Sequence, residues 1–269
     1  MNRNLFAKEM RRNTFTLALW MSVITLLISV TMAVYPAFLE NQSKILGMMS
    51  LVPKGALQFK GISNFDDLLS VFGFYAANNL IFMMVLGSIF GIVLASGILL
   101  REEYNRTAEY LLTRPVTRSE VFLSKGAVVL LWIVILNILT TIAGFISMEI
   151  VRTGPYNVGS FLVLSFSTLL LNILFGAVGL FISVLVKRAR PVTSFSIGLV
   201  LVFYFIYTIS KISQDVSFLG YISPFRYVGV DVLSSSYRLD PWHLVYFLGL
   251  TIFLGIVSWR IYMRKDIYV

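Results

Sequence analysis

The sequence predicts an all-α integral membrane protein, with six transmembrane helices and both termini on the inner side. Three observations carry this. Only 13% of the 269 residues are charged, 58% are hydrophobic, and the mean hydropathy is +0.84. Soluble domains carry about 25% charge, and half of that cannot cover a globular surface of this size. Six stretches contain no Asp, Glu, Lys or Arg at all: Phe15–Leu39, Leu68–Leu100, Ala127–Met148, Tyr156–Val186, Pro191–Ser210 and Pro241–Trp259. About 20 such residues suffice to cross roughly 30 Å of hydrocarbon. Finally, when the N-terminus is placed inside, 15 of the 22 Lys and Arg fall on inner segments and seven on outer ones. That asymmetry sets orientation. It accounts for the net charge of +9 as topology, so no nucleic-acid partner is needed.

Taken in order, residues 1–14 place Leu5, Phe6 and Met10 near one helical face, with basic residues around the rest. The pattern suits a helix lying in the inner interface. A basic flank that only fixes orientation explains the same residues. The first uncharged run has 25 residues. It exceeds the roughly 7–15-residue core of a signal peptide, and an uncleaved first span is expected. The second and fourth stretches, at 33 and 31 residues, must tilt, kink at glycine or extend beyond the lipid. The segment SNFD (Ser63 to Asp66) has the form of a capping box, which would start the second helix above the membrane.

Asn78, Asn79, Asn137 and Asn172 lie within or near spans and must find hydrogen-bond partners there. They serve either as glue between helices or as part of a translocation path. Gly87, Gly91 and Ala95 recur at four-residue spacing, and Gly179 with Ser183 repeats the theme. Such spacing lets two helix backbones approach closely, within one chain or at a dimer seam.

Several chemistries are excluded. There is no cysteine, and His243 is the single histidine, so disulfides, thiol catalysis and multi-histidine metal sites are ruled out within one chain. No G-x-x-x-x-G-K-[ST] phosphate loop is present. No paired acids, metal-ligand spacing or nucleophile elbow that would make an intramembrane enzyme are present, so no catalytic, metal or cofactor residues are assigned to this chain. Ion-coupled transporters usually place ionisable groups at membrane depth, and the six stretches have none. A channel is disfavoured by the lack of pore-lining charge.

Against this background residues 101–126, REEYNRTAEYLLTRPVTRSEVFLSKG, hold nine of the 35 charged residues. The charge count places them inside. Thr117 as N-cap and Glu120 three residues on form a capping box, with Val116 and Val121 at the staple positions. Pro115 blocks helix continuation from upstream, so a new helix is expected from about residue 118 into the third span. Upstream, RTAEYLL reads as a short helix with Tyr110, Leu111 and Leu112 clustered. A solvated loop of mixed charge is the plain reading. The cap and the apolar cluster favour an ordered element docked in a partner's groove.

The segment resembles the signature region of ABC-2-type permeases, the membrane subunits of ATP-driven exporters. Their pattern has an acidic pair, Gly-Thr, Glu-Leu-Leu, then Pro-Val-Ser-Arg before Gly-Lys. The matches are Glu102, Glu103, Thr107, Glu109, Leu111, Leu112, Pro115, Val116, Thr117, Arg118 and Lys125. Arg106 stands where the family commonly has glycine, and Lys125–Gly126 inverts the usual order. Pro224 and Phe225 resemble the family's Ser-Pro-Phe element, which implies short re-entrant helices in an outer loop, 211–242, between spans five and six.

The resemblance implies a single transmembrane domain over 1–269, multi-pass in a bacterial cell membrane, with 101–126 as a cytoplasmic coupling element. The coupling residues would be Glu102, Glu103, Thr107, Glu109, Leu111, Leu112, Arg114, Pro115, Arg118 and Glu120. It further implies a separate ATPase subunit that binds ATP and Mg, and a second permease copy, most simply an identical chain. The implied activity is export of a hydrophobic or amphipathic cargo. The compact chain is similar to permeases for antimicrobial or cytolytic peptides, phenol-soluble modulins included. Drugs, ions and polysaccharide are the alternative cargoes, and a non-transport membrane scaffold is the alternative class.

Overall fold

A computed structural model describes residues 3–49, 68–104, 117–186, 192–212, 214–228 and 239–264. Every regular element among the described residues is helical. Six helices are long and apolar enough to cross a membrane: Arg3–Glu40, Val71–Leu100, Arg118–Val151, Val158–Leu185, Val192–Ser210 and Pro241–Arg264.

The first span begins as one unbroken helix, Arg3–Ala33, of 31 residues. At 1.5 Å per residue it is roughly 46 Å long, more than the ~30 Å hydrocarbon core, so its basic first turns stand outside the lipid. The amphipathic N-terminal stretch is therefore continuous with the span. Its buried side is Leu5, Glu9, Asn13 and Leu17, at four-residue steps, and it lies mainly along the third span. Glu9 pairs with Arg12 at 2.6 Å and its backbone carbonyl accepts from Asn13 Nδ2, so these inward polar groups have partners. Two short helices follow, Tyr35–Glu40 and Gln42–Met49.

The second and fourth spans form the centre of the bundle. Of their most apolar windows 78% and 67% is buried, against 11% for the sixth span. The first, fifth and sixth spans turn Phe15, Val30, Phe205 and Phe253 outward, as apolar helices in hydrocarbon can without cost.

The second and fourth spans make the most extensive contact in the chain. A Cβ on Gly179 would lie 2.5 Å from the Ile92 carbonyl oxygen and 2.8 Å from Ala95 Cβ. On Gly91 it would lie 2.9 Å from the Asn172 carbonyl oxygen. The small-residue stripe is thus a seam within one chain, where van der Waals packing of close backbones replaces the hydrophobic drive that lipid removes.

The long second stretch is relieved by a change of helix type. Val71–Ile81 is α-helical, Phe82–Leu86 is a five-residue π-turn, and Gly87–Tyr104 is α-helical again. Ser70 caps the first part, accepting from the Gly73 N–H at 3.0 Å; Ser63 to Asp66 lie outside the described residues. The third span runs unbroken over Arg118–Val151 and the fourth over Val158–Leu185, whose N-cap Asn157 accepts from the Ser160 N–H.

Between spans five and six lie two 3-10 segments, Gln214–Ile222 and Pro224–Val228. Phe225 is fully buried, its ring 5.3 Å from Phe175 of the fourth span and 5.5 Å from Tyr204 of the fifth. Ser223 Oγ donates to the Phe203 carbonyl at 2.7 Å. The short helices are pinned into the bundle by these contacts; residues 229–238 lie outside the described residues.

Candidate coupling site and polar core

The third span starts where the local sequence places it. Thr117 is extended, its Oγ1 accepts from the Glu120 N–H at 3.2 Å, and Glu120 Oε2 accepts from the Thr117 N–H at 3.1 Å. Two helix-end donors are satisfied reciprocally. Thr117→Ala is expected to cost about 1 kcal/mol, read as a lower melting temperature of the purified chain at pH 7. An unchanged melting temperature would show that the cap adds nothing.

This capped turn is bound to two other spans. Arg118 Nη1 donates to the Met263 carbonyl at 3.5 Å, Trp259 Nε1 donates to Ser119 Oγ at 3.4 Å, and Phe122 packs on Tyr262 with ring centroids 5.7 Å apart. The start of the third span is thereby joined to the end of the sixth. Lys125 makes the second junction. Its side chain is fully buried, and Nζ donates to the Ile98 carbonyl of the second span at 2.6 Å.

Of the coupling residues expected from the sequence, Arg118 and Glu120 are the two whose side chains are described. Glu102 and Glu103 continue the helix Gly87–Tyr104. Thr107, Glu109, Leu111, Leu112, Arg114 and Pro115 lie outside the described residues. Lys125, a signature match outside the expected coupling residues, is buried in this junction, which its charge alone does not signal. Its signal is positional: Val121, Lys125, Val128 and Trp132 share one helical stripe, and all four are buried.

In the bundle core, Asn172 Nδ2 donates to Asn137 Oδ1 at 3.3 Å and to the Met83 carbonyl at 3.4 Å, and its Oδ1 accepts from Ser88 Oγ at 3.1 Å. Asn137 also donates to the Ile133 carbonyl of its own helix at 3.0 Å. Spans two, three and four therefore meet at one polar cluster. Asn78 is turned to its own helix, donating to the Phe74 carbonyl. Asn79 is fully buried, and neither of its amide atoms has a partner among the described residues.

The chain thus has six apolar spans, a junction at the start of the third and a small-residue seam at the centre. The family described as ABC-2 family transporter protein matches residues 3–267. The chain belongs to that family. No curated protein matches it. As an ABC-2 transporter protein it is a multi-pass membrane protein and the permease component of an ABC transporter, a type of subunit that typically pairs with an ABC ATPase. Transport, and not catalysis, is the role of such a component.

Proposed function

We propose that this ABC-2 permease is the membrane half of an ATP-driven exporter, with residues 101–126 as the element that receives the ATPase. ATP and Mg are bound by that ATPase. The observation that carries the reading is the double junction at the exit of the segment. Arg118 and Ser119 are tied to the sixth span and Lys125 to the second. A rigid capped helix so connected moves three spans when the segment before it is pushed. Two such permeases, most simply identical chains, would enclose the path in a bacterial cell membrane.

The cargo we infer is hydrophobic or amphipathic, with cytolytic peptides as the leading class. The six uncharged stretches offer a charged cargo no counter-ion, and the Asn172 cluster spends its polar groups on itself. An apolar cargo entering from the membrane needs neither.

Leu111→Asp and Glu109→Arg test the coupling. Both variants should insert normally. ATPase co-purification and ATP-driven uptake of a labelled amphipathic peptide into inside-out vesicles should each fall at least about tenfold, as loss of an interface hot spot would cause. Wild-type uptake by both variants would remove the segment from the mechanism, and uptake of drugs or metal ions in place of the peptide would reassign the cargo.

A further inference from the structure

The π-turn at Phe82–Leu86 divides the second span into two differently anchored halves. The inner half, Gly87–Tyr104, is held against the fourth span: a Cβ on Gly87 would run into Asn172 Nδ2, and Gly179 abuts Ile92 and Ala95. The outer half, Val71–Ile81, is tied at its top to the end of the first span. Tyr35 Oη donates to the Leu69 carbonyl at 2.7 Å, and the Phe74 ring packs on Tyr35 and Phe38. A π-turn is an α-helix carrying one residue too many, and such turns recur at functional sites.

Asn172 spans this break. It binds the Met83 carbonyl inside the π-turn and the Ser88 hydroxyl just past it, on opposite ends of one amide. Gly87 supplies the room for that amide. The same register leaves Asn79, on the outer half, fully buried with neither amide atom bonded among the described residues. One polar residue rewards the present register and another is penalised by it. Releasing the π-turn by one residue rotates the outer half by ~100° against the inner half and re-aims Asn79.

We propose that Asn172 is a positioning residue of the transport cycle: it holds the second span's π-turn, and its release re-registers Val71–Ile81 against Gly87–Tyr104. Motion that enters the inner half from the coupling segment then reaches the outer end as a rotation. This rests on the permease reading for its meaning in transport, but the rotation itself is a property of the chain alone.

The test uses the full-length chain in lipid nanodiscs without ATPase or cargo. The chain lacks cysteine, so Ile81→Cys and Phe166→Cys, both at exposed positions, take nitroxide labels at two sites only. Asn172→Leu keeps the γ-branched shape, with methyls in place of the amide oxygen and nitrogen, and removes the hydrogen bonds. It should shift the inter-label distance by several ångströms, because a side chain carried at a radius of roughly 5–6 Å swings through ~100°. Deleting Val85 converts the π-turn to a regular α-turn with both flanks in place, and it should suppress that shift in the double variant.

An unchanged distance in a folded Asn172→Leu protein would overturn the proposal and leave Asn172 as packing glue. So would a shift that persists after the deletion, since the movement would then bypass the π-turn. If Asn172→Leu does not fold, Ser88→Ala decides: removing the hydroxyl bound to Asn172 Oδ1 should give a smaller shift in the same direction, and no shift overturns the proposal. Failure of an ATPase to co-purify would count against the permease reading and leave this result standing.

Discussion

Lys125→Glu is expected to abolish accumulation of the folded chain in the membrane, whereas Lys125→Met is expected to lower its melting temperature and keep it folded. Lys125 is fully buried, and its ammonium donates to the Ile98 carbonyl at 2.6 Å. Met matches the length and fills the volume. It leaves the carbonyl one donor short, a cost of about 1–3 kcal/mol. Glu puts a second acceptor against that oxygen with no exposed surface through which to hydrate. Uncompensated buried charge of this kind costs about 3–5 kcal/mol, which is a large share of a stability of order 5–15 kcal/mol.

Membrane-fraction yield and thermal shift in one detergent separate the two variants. Equal yield and equal melting for Lys125→Glu and wild type would show that the Lys125–Ile98 junction does not hold spans two and three together. The functional claim that rests on it would go too, since a push on the coupling segment would then reach the third span alone.

The spans were legible because charge is excluded from hydrocarbon, and the uncharged stretches therefore mark the lipid-crossing part of each helix. They did not mark helix ends. The third uncharged stretch is Ala127–Met148, whereas the helix covers Arg118–Val151. Backbone hydrogen bonding continues past the membrane as long as no proline or cap intervenes. The start at Arg118 was readable because a capping box is a local device of four residues.

What the sequence hid is non-local. FMMVL at Phe82–Leu86 carries no feature of a π-turn. The partner that binds within it is Asn172, 89 residues beyond Met83 and on another span. The glycine stripe was visible, but whether it meets the fourth span or a second copy depends on which helices are neighbours. Spacing on one helix does not contain that information. Burial of Lys125 was hidden for a different reason, since an inner-face lysine already had an explanation as a topology signal.

The glycine seam supplies the sharpest graded expectation. Gly179→Ala should destabilise the chain by about 3–4 kcal/mol, at or beyond the upper end of ordinary overpacking costs of about 1–3 kcal/mol. The new Cβ would stand 2.5 Å from the Ile92 carbonyl oxygen and 3.0 Å from Ile92 Cα, which are backbone atoms of a helix and cannot rotate away. The second and fourth spans would have to separate along their length.

Gly176→Ala meets Ile133 Cδ1 at 2.7 Å, the far end of a flexible side chain, so one rotamer change absorbs it. The expected loss there is below about 1.5 kcal/mol. Gly255→Ala in the sixth span meets nothing within 4 Å, and it should be neutral or gain up to about 1 kcal/mol of helix propensity. Melting temperatures of the three variants should fall in the order Gly255→Ala, Gly176→Ala, Gly179→Ala, from highest to lowest. If Gly179→Ala melts with Gly255→Ala, the two spans are not in backbone contact, and the inner half of the second span loses the anchor against which its π-turn would work.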